Sequence, residues 1–400
     1  MNAKDYIEVE NQYGAHTYHP MDVVIERGDG VWVYDVEGNK YLDCLSAYSA
    51  INQGHCHPRL VEVMTKQAKT LTLTSRAFFN NKLPLFYKKL CEITGYEMAL
   101  TMNSGAEGVE TAIKMVRKWG YQTKQVEANQ AEIIVCDGNF HGRTTTIISF
   151  SSEAQYKQDF GPFPAGFVQI PYGDLKALEA AITPNTVAFL VEPIQGEGGV
   201  LLPPAGYLKQ AYELCKKHNV LFVADEIQTG LGRTGKLLAC EHEGVRPDVV
   251  ILGKALSGGF YPVSAVVADK DILGLFQPGD HGSTFGGNPL GAAIGTEALT
   301  ILQDENLIER TDELGTYLQE RLAEIPSPHV KEVRGKGLLI GIELNDEANG
   351  ARRFCEALRD RGILCKETHT TVIRFAPPLI ITKDEIDWMI DHVTEVLNMA

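Results

Sequence analysis

The chain has 400 residues, enough for two or three domains of ordinary size around a large buried core. Hydrophobic residues make up 44% and charged residues 22%, which excludes a disordered or fibrous chain. Thirty-seven Lys and Arg against 52 Asp and Glu leave a formal charge of −15, which argues against non-specific binding to nucleic acid or an anionic membrane.

The opening residues 1–8 lack the apolar stretch of a signal peptide, and no segment approaches the roughly 18 apolar residues of a membrane span, so a cytoplasmic location is expected. Residues 1–50 carry a strand-like stretch at 30–35 and a turn at Glu37-Gly38-Asn39, and are expected to pack on a small domain formed later in the chain. Ser104 and Glu107 spell a capping box. Val109, Ala112, Ile113 and Val116 then recur at helical spacing, so a helix opens there.

Four nearly all-apolar runs follow, at 132–136, 187–191, 220–224 and 249–252, as strands buried on both faces should read. A helical pattern at 206–218 separates the second from the third, the signature of βαβ units feeding a mainly parallel sheet. Beyond the glycine-rich stretch 282–291, a helical region at 292–322 and strands at 333–344 and 371–375 indicate a smaller α+β domain. The expected division is 1–50, 51–290 for the large domain and 291–400 for the small one.

Several motifs compete for chemistry. The eight cysteines include no C-x-x-C pair, so neither a disulfide framework nor a zinc knuckle is expected. His55-Cys56-His57 invites a metal, yet adjacent residues of an extended chain point to opposite sides and no further ligand cluster accompanies them. Gly230, Gly232 and Gly235 form a literal G-x-G-x-x-G, but they follow the strand too late, no acid stands where a ribose needs one, and Leu237 replaces the Ser or Thr of a P-loop.

In an open α/β sheet, ligands bind beyond the carboxyl ends of the strands. The residues there are Asp137 to Arg143, Glu192 to Glu197, Asp225 to Gln228, and Gly253-Lys254. The helix start at Ser104-Gly105-Ala106 can hold a phosphate on its free N–H groups, or can be a capped helix without a ligand. Taken singly, Lys254 reads as a solvated lysine and Asp225 as a turn former. Together with the helix start they supply three contacts of a pyridoxal phosphate site: an amine to condense with the aldehyde, an acid to keep the ring nitrogen protonated, and a phosphate cradle. Phe140 can stack on the ring and Gln228 can bond its hydroxyl.

Asn103-Ser104-Gly105-Ala106-Glu107, Glu192-Pro193-Ile194-Gln195-Gly196-Glu197, Asp225-Glu226-Ile227-Gln228-Thr229-Gly230 and Gly253-Lys254-Ala255-Leu256-Ser257-Gly258-Gly259 resemble, in this order, the class III, fold-type I aminotransferases. Within that family, residues 14–20, 48–58 and 374–378 are most similar to the ornithine δ-aminotransferase branch, with acetylornithine and 4-aminobutyrate branches as neighbours. The resemblance implies Lys254 as Schiff-base lysine, Asp225 on the ring nitrogen, Gln228 at the ring oxygen, Phe140 on the ring face, and Ser104, Gly105 and Ala106 at the phosphate. It implies Ser283 and Thr284 reaching the neighbouring subunit's phosphate, hence a homodimer or larger homo-oligomer. For L-ornithine and 2-oxoglutarate it implies Arg143 on the α-carboxylate, Tyr18 on the α-amino group, Tyr48 in the pocket, and Glu197 pairing with Arg374 until the second substrate's carboxylate displaces it. One departure stands out: His141 occupies a position where many members of that branch carry Trp.

Overall fold

The computed structural model describes residues 1–399. All four apolar runs are strands, and they sit in a seven-stranded sheet made of β1 (Met98–Met102), β2 (Glu132–Cys136), β3 (Phe167–Ile170), β4 (Thr186–Val191), β5 (Leu221–Asp225), β6 (Val249–Leu252) and β7 (Ser264–Ala268). The order is β1-β7-β6-β5-β4-β2-β3; β7 runs antiparallel to both neighbours, and the pairs from β6 to β3 are parallel.

Side chains alternate across a strand, so each central strand feeds two cores. Ile133 and Val135 of β2, Ala188 and Leu190 of β4, and Leu221 and Val223 of β5 pack under helix α1 (Gly105–Gln122). Ile134, Phe189, Phe222 and Ala224, the intervening residues, pack under helix α2 (Tyr207–Lys217) on the opposite face. This double burial explains why the runs lack a polar alternation.

The helical region after the glycine-rich stretch divides into α3 (Pro289–Asp304) and α4 (Leu307–Ala323), because Asn306 takes a left-handed φ of 50° between them. Helix α3 packs against Pro58–Ala68 and Leu83–Thr94, elements from far earlier in the chain. A C-terminal sheet runs Val330–Lys336, Leu339–Leu344, Val372–Phe375, Lys366–Thr368. The N-terminal strands Ile25–Asp29, Trp32–Asp35 and Lys40–Asp43 form a second small sheet completed by Ile363–Leu364, which pairs in parallel with Leu42 and Asp43.

Fully buried Arg233 joins three separate segments, donating to the Leu338 and Pro377 carbonyls at 3.0 and 2.6 Å and to Asn52 Oδ1 at 2.7 Å. No helix among the described residues is long and apolar enough to cross a membrane.

Candidate active site

The carboxyl ends of β2, β4, β5 and β6 open on a cavity of about 210 Å³, roofed by the first turn of α1. Asp225 is the last residue of β5 and pairs with Ile251 of β6, which brings Lys254, two residues past the end of β6, to the same edge. The capping box forms as its spacing predicts: Ser104 Oγ accepts from Glu107 N–H at 3.2 Å, and Glu107 Oε2 accepts from Ser104 N–H at 2.7 Å. A Cβ at Gly105 would stand 3.0 Å from Ile227 Cδ1, so a residue without a side chain keeps the helix start open beside the cavity.

Electrostatics within the cavity are unusual. Burial pushes the Lys254 amine down to about 8; Glu197, Asp225 and Glu192 only partly oppose this, while Arg374 adds to it. Asp225 is buried, with Oδ2 2.7 Å from His141 Nδ1 and Oδ1 accepting the Ile227 N–H at 3.1 Å. Burial raises the Glu192 carboxyl to about 8, with His141 opposing and Asp225 reinforcing; its Oε2 accepts the Phe140 N–H at 2.9 Å.

Glu197 sits at the other side of the cavity, where its Oε1 accepts from Arg374 Nη1 at 2.6 Å and from Gln228 Nε2 at 3.2 Å. Burial alone would raise the Glu197 carboxyl, but Arg374 and Lys254 together hold it below the usual value. Arg374, in the strand Val372–Phe375, is 1% exposed and lies 5.1 Å from the centroid of the Tyr48 ring. Tyr48 is presented by a left-handed turn, with φ of 50°, 48°, 61° and 72° at Ser46, Ala47, Tyr48 and Ser49. Asp43 Oδ1 anchors its start by accepting the Leu45 and Ser46 N–H groups at 2.9 and 2.8 Å.

The profile of the family described as class-III aminotransferase matches residues 13–397. The chain belongs to that family. This class-III aminotransferase is similar to an ornithine aminotransferase of Brevibacillus brevis, 59% identical over 98% of both chains, and to one of Bacillus cereus, 58% identical over 100% of both. Among solved structures it is similar to the ornithine aminotransferase of Toxoplasma gondii, with a TM-score of 0.98 and 44% identity over 99% of this chain and 95% of that one. It is also similar to the acetylornithine aminotransferase of Elizabethkingia anophelis, with a TM-score of 0.90 and 48% identity over 99% of both. These neighbours carry the fold-type I architecture, the large α/β domain with a smaller α+β part.

Of the residues expected at the site, this aminotransferase gathers Lys254, Asp225, Gln228, Phe140, Gly105, Ala106 and Glu197 around one cavity, with Arg374 bonded to Glu197. Other expected residues lie further out. Arg143 is exposed, its guanidinium 3.7 Å from the Tyr156 ring centroid and 5.4 Å from that of Phe140. Tyr18 is 77% exposed and borders, together with Tyr48, a separate cavity of about 500 Å³. Ser283 Oγ accepts from Asn103 Nδ2 of its own chain at 3.0 Å, and Thr284 is exposed beside it.

Gly230 and Gly232 lie in turns and Gly235 in a bend, and only the short 3-10 helix Ala239–Glu243 follows, four residues on, so the strand-turn-α-helix unit of a dinucleotide site has no counterpart here. His55 turns to Asp43 at 2.8 Å and His57 to Glu305 at 3.0 Å, and no group of metal-ligating side chains exists among the described residues. The sequence reading gave Glu192 no role and treated His141 only as a change of pocket lining. Their position at the ends of strands was the available signal, and their partners lie too far along the chain to be paired by spacing.

Proposed function

We propose that this class-III aminotransferase is an ornithine δ-aminotransferase that uses pyridoxal 5'-phosphate. It moves the δ-amino group of L-ornithine to 2-oxoglutarate by a ping-pong route, giving glutamate and glutamate 5-semialdehyde, which cyclises to pyrroline-5-carboxylate. The observation that carries this reading is the pair of buried Arg374 and partly buried Glu197 beside Lys254. One pocket must receive first a substrate with a cationic chain and then one with a second carboxylate, and an arginine whose counter-ion belongs to the protein can serve both.

The residues fit the cofactor. Lys254 supplies an amine that is readily neutral, Asp225 a buried carboxylate, and the start of α1 free N–H groups beside a glycine. Gln228 Oε1 is buried without a partner, a vacant acceptor for a ring hydroxyl. When bound, the cofactor supplies an electron sink for the pair left by breaking the substrate C–H bond. Lys254 would tether it and serve as the group that moves the substrate proton, Asp225 would favour the protonated ring nitrogen, and Phe140 would cover the ring. Arg143 and Tyr18 hold the α-carboxylate and α-amino group of ornithine, so the δ-amino end is the one presented to the reacting centre. Glu197 occupies Arg374 during this half and gives it up to 2-oxoglutarate in the next.

We propose a homodimer as the minimal unit, with Ser283 and Thr284 reaching the partner's phosphate. Supporting it, Phe78, Phe79 and Phe285 are 73%, 99% and 50% exposed, and Asn80 donates to the Gly287 carbonyl, so this apolar surface adjoins the 283–287 segment. The likeness to an acetylornithine aminotransferase keeps that substrate as the second reading. Borohydride reduction of the holoenzyme and peptide mapping should place the pyridoxyl label on Lys254; a label elsewhere overturns the site. Turnover of ornithine should exceed that of N-acetylornithine; the reverse order transfers the assignment to the second reading.

A further inference from the structure

The shortest polar contact to Asp225 comes from a residue to which the reaction above gives no task. His141 Nδ1 stands 2.7 Å from Asp225 Oδ2, and the His141 side chain is fully buried while that of Asp225 is 4% exposed. A buried carboxylate accepts from this nitrogen only if it carries the hydrogen, so the bond fixes the tautomer with Nδ1 as donor. The other carboxylate oxygen accepts the Ile227 N–H at 3.1 Å. Two donors from two different loops, one after β2 and one after β5, therefore set the plane of the Asp225 carboxylate, which lines the Lys254 cavity.

The rest of the His141 environment gives the ring no competing partner. Its Nε2 is buried without a hydrogen-bond partner, and its ring lies 6.0 Å from that of Phe150. The charged groups acting on it are Asp225 and Glu192; burial disfavours the imidazolium, these two carboxylates favour it, and the net effect is upward. An imidazole buried only for packing would not need its one satisfied nitrogen aimed at an acid on the cavity wall.

We propose that His141 is a positioning residue for the cofactor-binding acid: its Nδ1–H holds Asp225 toward the cavity and so governs how firmly the pyridoxal ring nitrogen is held in its protonated form. This rests on the pyridoxal phosphate reading above. His141 touches neither substrate nor the reacting atoms in this role; it acts through Asp225.

The test compares wild type with His141→Phe, which keeps an aromatic ring but has no donor, and His141→Asn, which keeps a donor at the same distance along the side chain. Apoenzyme is titrated with pyridoxal 5'-phosphate, the pH midpoint of the bound cofactor's visible absorption is measured, and the thermal midpoint of each apoenzyme is recorded. A hydrogen bond to a charged acceptor is worth enough to change binding by about 10- to 100-fold. The dissociation constant should weaken by that factor in His141→Phe with a shifted absorption midpoint, and recover to within about threefold of wild type in His141→Asn. Should the Phe variant not fold, His141→Leu takes its place under the same expectation. The proposal is overturned if the donor-less variant binds and titrates as wild type does, or if His141→Asn is as impaired as His141→Phe, since loss despite a retained donor would mean that the imidazole acts by packing alone. Failure of wild-type apoenzyme to take up the cofactor at Lys254 would instead remove the reading on which the proposal rests.

Discussion

Replacing Arg374 by Ala separates the two halves of the proposed reaction. The arginine side chain is 2% exposed and that of Glu197 27% exposed, so the pair is sheltered without being sealed. Deleting one member of a buried pair costs about 3 to 5 kcal/mol, and the partial exposure of Glu197 places the folding penalty near the lower end, about 3 kcal/mol. The catalytic penalty is distributed unequally. The second substrate loses two charge-assisted hydrogen bonds of about 1.5 to 3 kcal/mol each, so kcat/KM for 2-oxoglutarate should fall by about 10² to 10⁴. In the proposed reading ornithine does not use Arg374, and its half-reaction should fall by less than about tenfold, through the upward shift of the Glu197 carboxyl when one of its cationic neighbours is gone. Rapid-mixing single turnovers of each half-reaction, followed by the cofactor's visible absorbance, measure the two losses on one protein, and urea unfolding checks that it remains folded. Equal losses in both halves would refute the reasoning, because the arginine would then be holding the pocket together and not choosing between substrates.

Gly196→Ala would place a Cβ 1.4 Å from Gln228 Oε1, the free end of a flexible side chain; the thermal midpoint should change little while cofactor affinity falls by about tenfold, and an unaltered affinity would contradict the role given to Gln228. Gly315→Ala, on α4, would put a Cβ 2.3 Å from the Gly337 carbonyl carbon, backbone that cannot swing aside; unfolding in urea should show a loss of about 2 to 3 kcal/mol, and neutral stability would mean the helix moves freely on the hairpin. With the Lys254 amine lowered to about 8, apoenzyme should capture pyridoxal phosphate faster as pH rises, by about tenfold per unit below 8, and level off above it. The sign follows from the neutral amine being the nucleophile; a rate still rising at pH 10 would show the amine to be unperturbed.

Much of the architecture was legible in the chain itself. The runs at 132–136 and 249–252 coincide with β2 and β6, since a strand buried on both faces is apolar at nearly every position, and their four- to five-residue length and β-branched content separate them from a buried helix. The capping box at Ser104 and Glu107 was equally local, because its two hydrogen bonds span three residues. The continuous helical reading of 292–322 missed the left-handed residue at Asn306, where the apolar period passes through a break that only the backbone reveals.

The sequence by itself determined which residues stand at the ends of the buried strands, and therefore that an amine and an acid, Lys254 and Asp225, share one edge of a parallel sheet. The tertiary structure alone decided that Asp225 meets His141, 84 positions away, while the pairing of Glu197 with Arg374, 177 apart, was expected only from the family resemblance and not from spacing. Such pairs are chosen by the order in which strands lie in the sheet and by how the C-terminal sheet closes over it. Strand order is a global packing outcome, set by hydrophobic faces that many registers could satisfy locally, and the spacing of residues along the chain carries no record of it.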